Sequence, residues 1–199
     1  MRRSPRTEAA GIDTELLEHR AGPRLARQLT FIAELDRLKT VLRRTSLKGA
    51  PRRENSAEHS WHLAVMAPLL AEHSPEPVDV LRVMQMLVVH DVVEIDAGDT
   101  FAFDPDAHHD KPLREQAAAE RIFGLLPDDQ ARSVRALWDE FEAAQTADAR
   151  FAQALDRLGG VLQNLLNEGG TWVEHGISRE AILKRQDPIR KAMPDLWPW

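Results

Sequence analysis

The sequence predicts an all-α fold, a single compact bundle of about six to seven helices. Apolar residues recur at spacings of three and four along nearly the whole chain, and no alternating run of useful length predicts a sheet. With 199 residues and 43% hydrophobic content, the chain closes one core rather than two. Residues 1–22 hold no sustained period and include Gly11 and Gly22, so they are expected as a loosely ordered arm before a helical body at 23–192 and a tail at 193–199.

Leu29, Ile32, Leu35, Leu38 and Leu42 predict an amphipathic first helix, ended near Arg44 by the turn residues Thr45 to Pro51. A second helix is expected from about Asn55 or Ser56 into the seventies, kinked at Pro68. A third opens after Pro75-Glu76-Pro77 and is apolar on almost every side, as a helix surrounded by others is. An Asp- and Gly-rich loop from Ile95 to Asp110 is long enough to be functional. Helices follow at about 111–125, 128–145 and 147–167, then an amphipathic segment at 178–192, with the Trp197-Pro198-Trp199 tail expected to dock on the body.

Composition excludes several classes. Without cysteine there is no disulfide framework, thiolate metal site or cysteine nucleophile, which fits a cytoplasmic protein. A net charge of −6 argues against duplex nucleic acid as partner. The most apolar stretch, Val78 to Val93, is too short and polar to span a bilayer, and the basic N-terminus lacks the apolar run of a secretory signal. No membrane partner is expected.

His90 and Asp91 interrupt that apolar stretch, where a buried carboxylate must be paired or bound to a cation. His59 and His62, three apart on one helical face, offer two imidazoles, and either can serve as a ligand. Asp156 sits beside the stripe of its helix among Ala152, Gly159 and Gly160, small residues that admit a helix or a metal with its waters. Glu94 lies three after Asp91, and Asp99 follows a glycine. Two His and two Asp from three helices form a mixed nitrogen and oxygen set suited to Zn, Fe, Mn, Co or Ni. Water acidified there is a nucleophile at neutral pH, and Glu94 is placed to hold or deprotonate it.

The ordered set Arg52-Arg53-Glu54-Asn55-Ser56-Ala57-Glu58-His59-Ser60-Trp61, His90-Asp91 with Glu94 and Gly98-Asp99, Leu137 to Glu142, and Ala154-Leu155-Asp156-Arg157-Leu158 resembles the HD-domain metal-dependent phosphohydrolases. Within them it is similar to the 5′-deoxynucleotidase branch. The resemblance implies that His59, His90, Asp91 and Asp156 hold one divalent ion per chain (Mn, Co, Zn, Fe or Mg), with Glu94 as the acid/base or water-positioning residue and Asp99 as a second essential carboxylate. It implies a substrate-contacting arginine at Arg44, followed here by Thr45 where bacterial members have tryptophan. Arg52 and Arg53 are further candidates for phosphate contact. The implied reaction is hydrolysis of 2′-deoxynucleoside 5′-monophosphates by a homodimer. Two other readings keep the same residues: action on another small phosphate ester or a cyclic nucleotide, and a non-catalytic adaptor whose metal only staples helices.

Overall fold

Side-chain caps set where three of the six long helices begin. The computed structural model describes residues 14–104 and 109–197. Helices α1 (Thr14–Ala21) and α2 (Pro23–Leu35) lead, through a 3₁₀ turn at Asp36–Thr40, into a hairpin of β1 (Leu42–Ser46) and β2 (Arg53–Asn55). Asn55 then starts α3 (Ser56–Leu70) with a reciprocal cap. Its Oδ1 accepts from the Glu58 amide at 2.9 Å, and Glu58 Oε2 accepts from the Asn55 amide at 3.1 Å. Asp79 caps α4 (Val80–Val89) in the same sense. A 3₁₀ turn at His90–Val93 joins α4 to the single-turn α5 (Glu94–Ala97). Then come α6 (Lys111–Phe123), α7 (Asp128–Ala143) and the 20-residue α8 (Ala147–Leu166), with Thr146 as its cap. Short helices α9 (Gly170–Glu174), α10 (Arg179–Arg185) and α11 (Asp187–Ala192) close the described chain.

Six of these helices have ten residues or more, in keeping with the expected all-α bundle. The core has two apolar clusters. One unites Leu63, Met66, Val83, Met86, Leu87, Phe151 and Leu155 from α3, α4 and α8 with Ile189 of α11. The other joins Phe31, Val92, Val93, Ile122, Phe123 and Trp138. His90 and Asp91 stand where the chain passes from the first cluster to the second. Buried Glu34 ties α2 to α6 by accepting from Arg121 Nη2 at 2.6 Å, and Arg121 also grips Asp96 of α5.

The structure differs from the sequence reading in several places. The first helix does not reach Arg44, and a small sheet exists. Leu42–Ser46 is a strand because Gly49, at φ +74°, turns the chain so that Leu47 donates to the Arg52 carbonyl and β1 pairs antiparallel with β2. Within the expected arm, residues 14–21 are helical. That helix buries no residue, so it carries no apolar period to read. Residues 1–13 lie outside the described residues, as do 198–199 of the tail. The helix α4 is not surrounded, since Leu81 and Val88 face outward. The segment 178–192 breaks at Gln186 into α10 and α11. No described helix is long and apolar enough to cross a membrane.

Candidate metal centre

Three elements bring the four expected ligands together. The Asn55 cap fixes the first turn of α3 and buries His59, while the 3₁₀ turn after α4 buries His90 and Asp91. Asp156 comes from α8, which lies close against α3 because residue 159 is glycine: a Cβ there would stand 2.7 Å from Leu63 Cδ2 and 3.3 Å from His59 Cε1. His59 Nε2 is 2.9 Å and His90 Nε2 3.9 Å from Asp156 Oδ1. His59, His90 and Asp91 each offer a ligand atom within 4.8 Å of the others.

Protonation is settled by neighbours. The Leu87 carbonyl can only accept, so His90 Nδ1 carries a proton and donates to it at 2.9 Å. Burial lowers the pKa of His90, so its Nε2 holds a lone pair. That nitrogen is 3.0 Å from Asp91 Oδ1, buried and without a hydrogen bond. A lone pair facing that oxygen needs a cation between them, a proton on Asp91 in the metal-free chain or a metal ion, and with His59 and Asp156 beside the pair the donor set fits a divalent ion. The backbone bond to Nδ1 also holds the ring in the ligating tautomer. Burial, and then the Arg43 charge, lowers His59 to about 3. Its Nδ1 faces Glu54 Oε2 at 3.7 Å, a carboxylate behind a candidate ligand.

Around this centre burial, then like charge, pushes Asp91 up to about 8, and burial with Asp91 beside it does the same to Glu94. Ser56 donates its hydroxyl to Glu94 Oε2 at 2.6 Å. Asp99, swung out of α5 by Gly98 at φ +75°, is also raised by burial. Asp156 stays well below the usual range, because the His59 hydrogen bond and nearby positive charge outweigh its burial. These groups open on a pocket of about 410 Å³, whose other walls carry Arg44, Lys111, Phe101, Phe103, Trp172, Arg157 and Arg185.

Four arginine findings refine the sequence reading. Arg44 lines the pocket as expected, but from its exposed rim. Arg52 and Arg53 stand outside it: Arg52 reaches both Glu58 oxygens at 2.5 and 2.8 Å, and in β2 it is Glu54 that turns inward. The residue that sequence reasoning missed is Arg43. It is half-buried on the inward side of β1, and its Nη1 donates to Asp91 Oδ2 at 2.9 Å and lies 4.0 Å from Asp99 Oδ1. Burial opposes its charge, but Asp91 and the other carboxylates raise its pKa above the ordinary value. Strand alternation was the available signal, since it puts Arg43 and Thr45 on one face and Arg44 on the other. His62 lies outside the ligand group, and its neighbour Trp61 is 67% exposed.

The chain is similar to known proteins in sequence and in structure. A 5′-deoxynucleotidase HDDC2 from Xenopus laevis is 35% identical over 112 residues, covering 56% of this chain and 54% of its own. The Homo sapiens 5′-deoxynucleotidase HDDC2 is 30% identical over 136 residues, 68% of this chain and 65% of its own. The chain thus spans about half to two thirds of the length of these relatives. The crystal structure of a predicted metal-dependent phosphohydrolase from Magnetospirillum magnetotacticum MS-1 superposes with a TM-score of 0.83 at 54% identity, over 88% of both chains. The family model described as the HD domain matches residues 35–197. With that match across the helical body and the ligand geometry, the chain belongs to the HD-domain family.

Proposed function

We propose that this chain is a metal-dependent phosphomonoesterase that hydrolyses 2′-deoxynucleoside 5′-monophosphates to deoxynucleoside and phosphate. The observation that carries this reading is the lone pair of His90 Nε2 held against Asp91, beside His59 and Asp156, with the protonatable Glu94 next to them. The names of the relatives supply the substrate class. His59, His90, Asp91 and Asp156 would hold one divalent ion, Mn, Co, Zn, Fe or Mg. When bound, it supplies Lewis-acid polarisation of the phosphoryl group and an acidified water.

The chain's own residues do the rest. Glu94 has one oxygen taken by the Ser56 hydroxyl, so the other is left to accept the proton of the attacking water. A carboxyl raised to about 8 accepts and returns a proton near neutrality. As the new P–O bond forms, the bond from phosphorus to the sugar 5′ oxygen breaks, and that oxygen leaves with a proton. Arg44 and Lys111 in the pocket wall offset the phosphate charge. Asp99 anchors the sugar, and Arg43 holds Asp91 and Asp99 in place. The reaction belongs to the cytoplasm, and the working form is a homodimer.

The test is phosphate release from deoxy- and ribonucleoside 5′-monophosphates by metal-stripped chain resupplied with each ion. Glu94→Gln should lower kcat by 10²-fold or more with metal content unchanged. Asp91→Ala should lose both metal and turnover. Equal turnover of both sugar series would overturn the deoxy assignment, and full activity in Glu94→Gln would overturn its role.

A further inference from the structure

Two cations in the pocket wall have no ion-pair partner among the described residues. Arg157 and Arg185 both line it, and neither lies within ion-pair distance of a carboxylate among the described residues. Arg157 Nε is buried with no hydrogen-bond partner. Arg185 sits over the Phe103 ring, 5.7 Å from its centroid, and belongs to a different helix. The two guanidinium groups share this pocket wall, and burial, then the charge of Arg157, lowers Arg185 to about 10. Like charges at a partly desolvated place are unfavourable unless an anion joins them.

The carboxylates of the metal centre already have other cations. The cations that act most strongly on Asp91 and Asp99 are Arg43, Lys111 and Arg44. Only Asp156, whose Oδ1 is already engaged by His59, acts on Arg185. Beside the pair stands an aromatic wall, with Phe101 and Phe103 centroids 5.8 Å apart and Phe101 and His175 4.7 Å apart. Such a wall suits a planar ring.

We propose that Arg157 and Arg185 form a second anion subsite, which takes a phosphoryl group other than the one facing the metal ligands. Planar guanidinium forks from two helices match the oxygens of a phosphoryl dianion. The proposal goes beyond the phosphomonoesterase reading, because a second anion is not part of a monophosphate substrate. The anion is then either free phosphate or the additional phosphoryl group of a nucleotide whose base lies on Phe101 and Phe103.

The experiment is calorimetric titration of the manganese-loaded chain with inorganic phosphate, which needs no turnover and so can succeed or fail independently of the activity. Two phosphates per chain are expected, with one lost in Arg157→Gln and in Arg185→Gln and retained in Arg185→Lys. A melting curve for each variant separates lost binding from lost fold. A second arm compares a deoxynucleoside 3′,5′-bisphosphate with the 5′-monophosphate as competing ligands. If the bisphosphate binds about tenfold tighter and Arg185→Gln removes that preference, the nucleotide is the source. If there is no preference but a second phosphate binds, free phosphate is the source. One phosphate per chain, or two that are indifferent to both arginine substitutions, would overturn the proposal.

Discussion

Asp91 and Glu94 are each raised to about 8, well above the roughly 4 of an unfolded carboxyl, chiefly because burial penalises their charge. In the metal-free chain the folded state therefore keeps protons that the unfolded state releases, and stability falls as pH climbs from about 4 through about 8. His59, depressed to about 3 against the roughly 6.5 of an unfolded imidazole, works against this fall below about 6.5, where the unfolded ring binds a proton that the folded one does not, so it leaves the carboxyls' fall unopposed only from about 6.5 to about 8. A divalent ion must displace the carboxyl protons, so its affinity rises with pH up to about 8. Melting curves with and without manganese should show a gap between the two forms that widens from pH 6 to pH 8. A gap that narrows over that range would mean that these carboxyls are not the groups the ion displaces.

At the scale of elements, the approach of α8 to α3 holds Asp156 near His59, and adjacent glycines separate packing from propensity. A methyl group at 159 would press on Leu63 and on the His59 ring, whereas one at 160 meets nothing within 4 Å. Gly159→Ala should lose about 1–3 kcal/mol through overpacking and weaken metal binding by moving His59. Gly160→Ala should gain up to about 1 kcal/mol from helix propensity and leave the metal alone. Denaturant unfolding with a parallel metal titration checks both. Helices with long stripes, such as the one holding Phe151, Leu155 and Leu158, were legible in the sequence because a buried face repeats. So were the candidate ligands His90 and Asp91, because they interrupt an apolar stretch, whereas the preference for His59 over His62 came only from the resemblance. The hairpin was not legible. Its strands have five and three residues and an irregular register, and Leu42 continued the three-and-four spacing of the preceding helix. That one error hid Arg43, since helical periodicity gives no reason to prefer it to Arg44.

Across the whole molecule, one face remains to be covered. Trp61, Val65 and Leu69 repeat at spacings of four on the outside of α3, and Leu81 and Val88 do so at seven on α4, which packs against α3; Trp61, Leu69 and Leu81 are each about two thirds exposed. Apolar stripes on two adjoining helices are what the proposed homodimer would bury, and a two-fold axis would place the same patch on both subunits. The α3 helix would then carry His59 on its inner face and Trp61 on the outer, so pairing would steady the helix that bears a metal ligand. Sedimentation at micromolar concentration should give twice the chain mass. Trp61→Glu combined with Leu69→Glu should raise the dissociation constant by 30-fold or more, the effect of losing about 2 kcal/mol at a central aromatic contact. The substituted chain should keep its helical signal, because neither side chain contributes to the buried core. A monomer at 100 µM before substitution would instead leave these stripes as exposed surface and remove pairing from the account of the site.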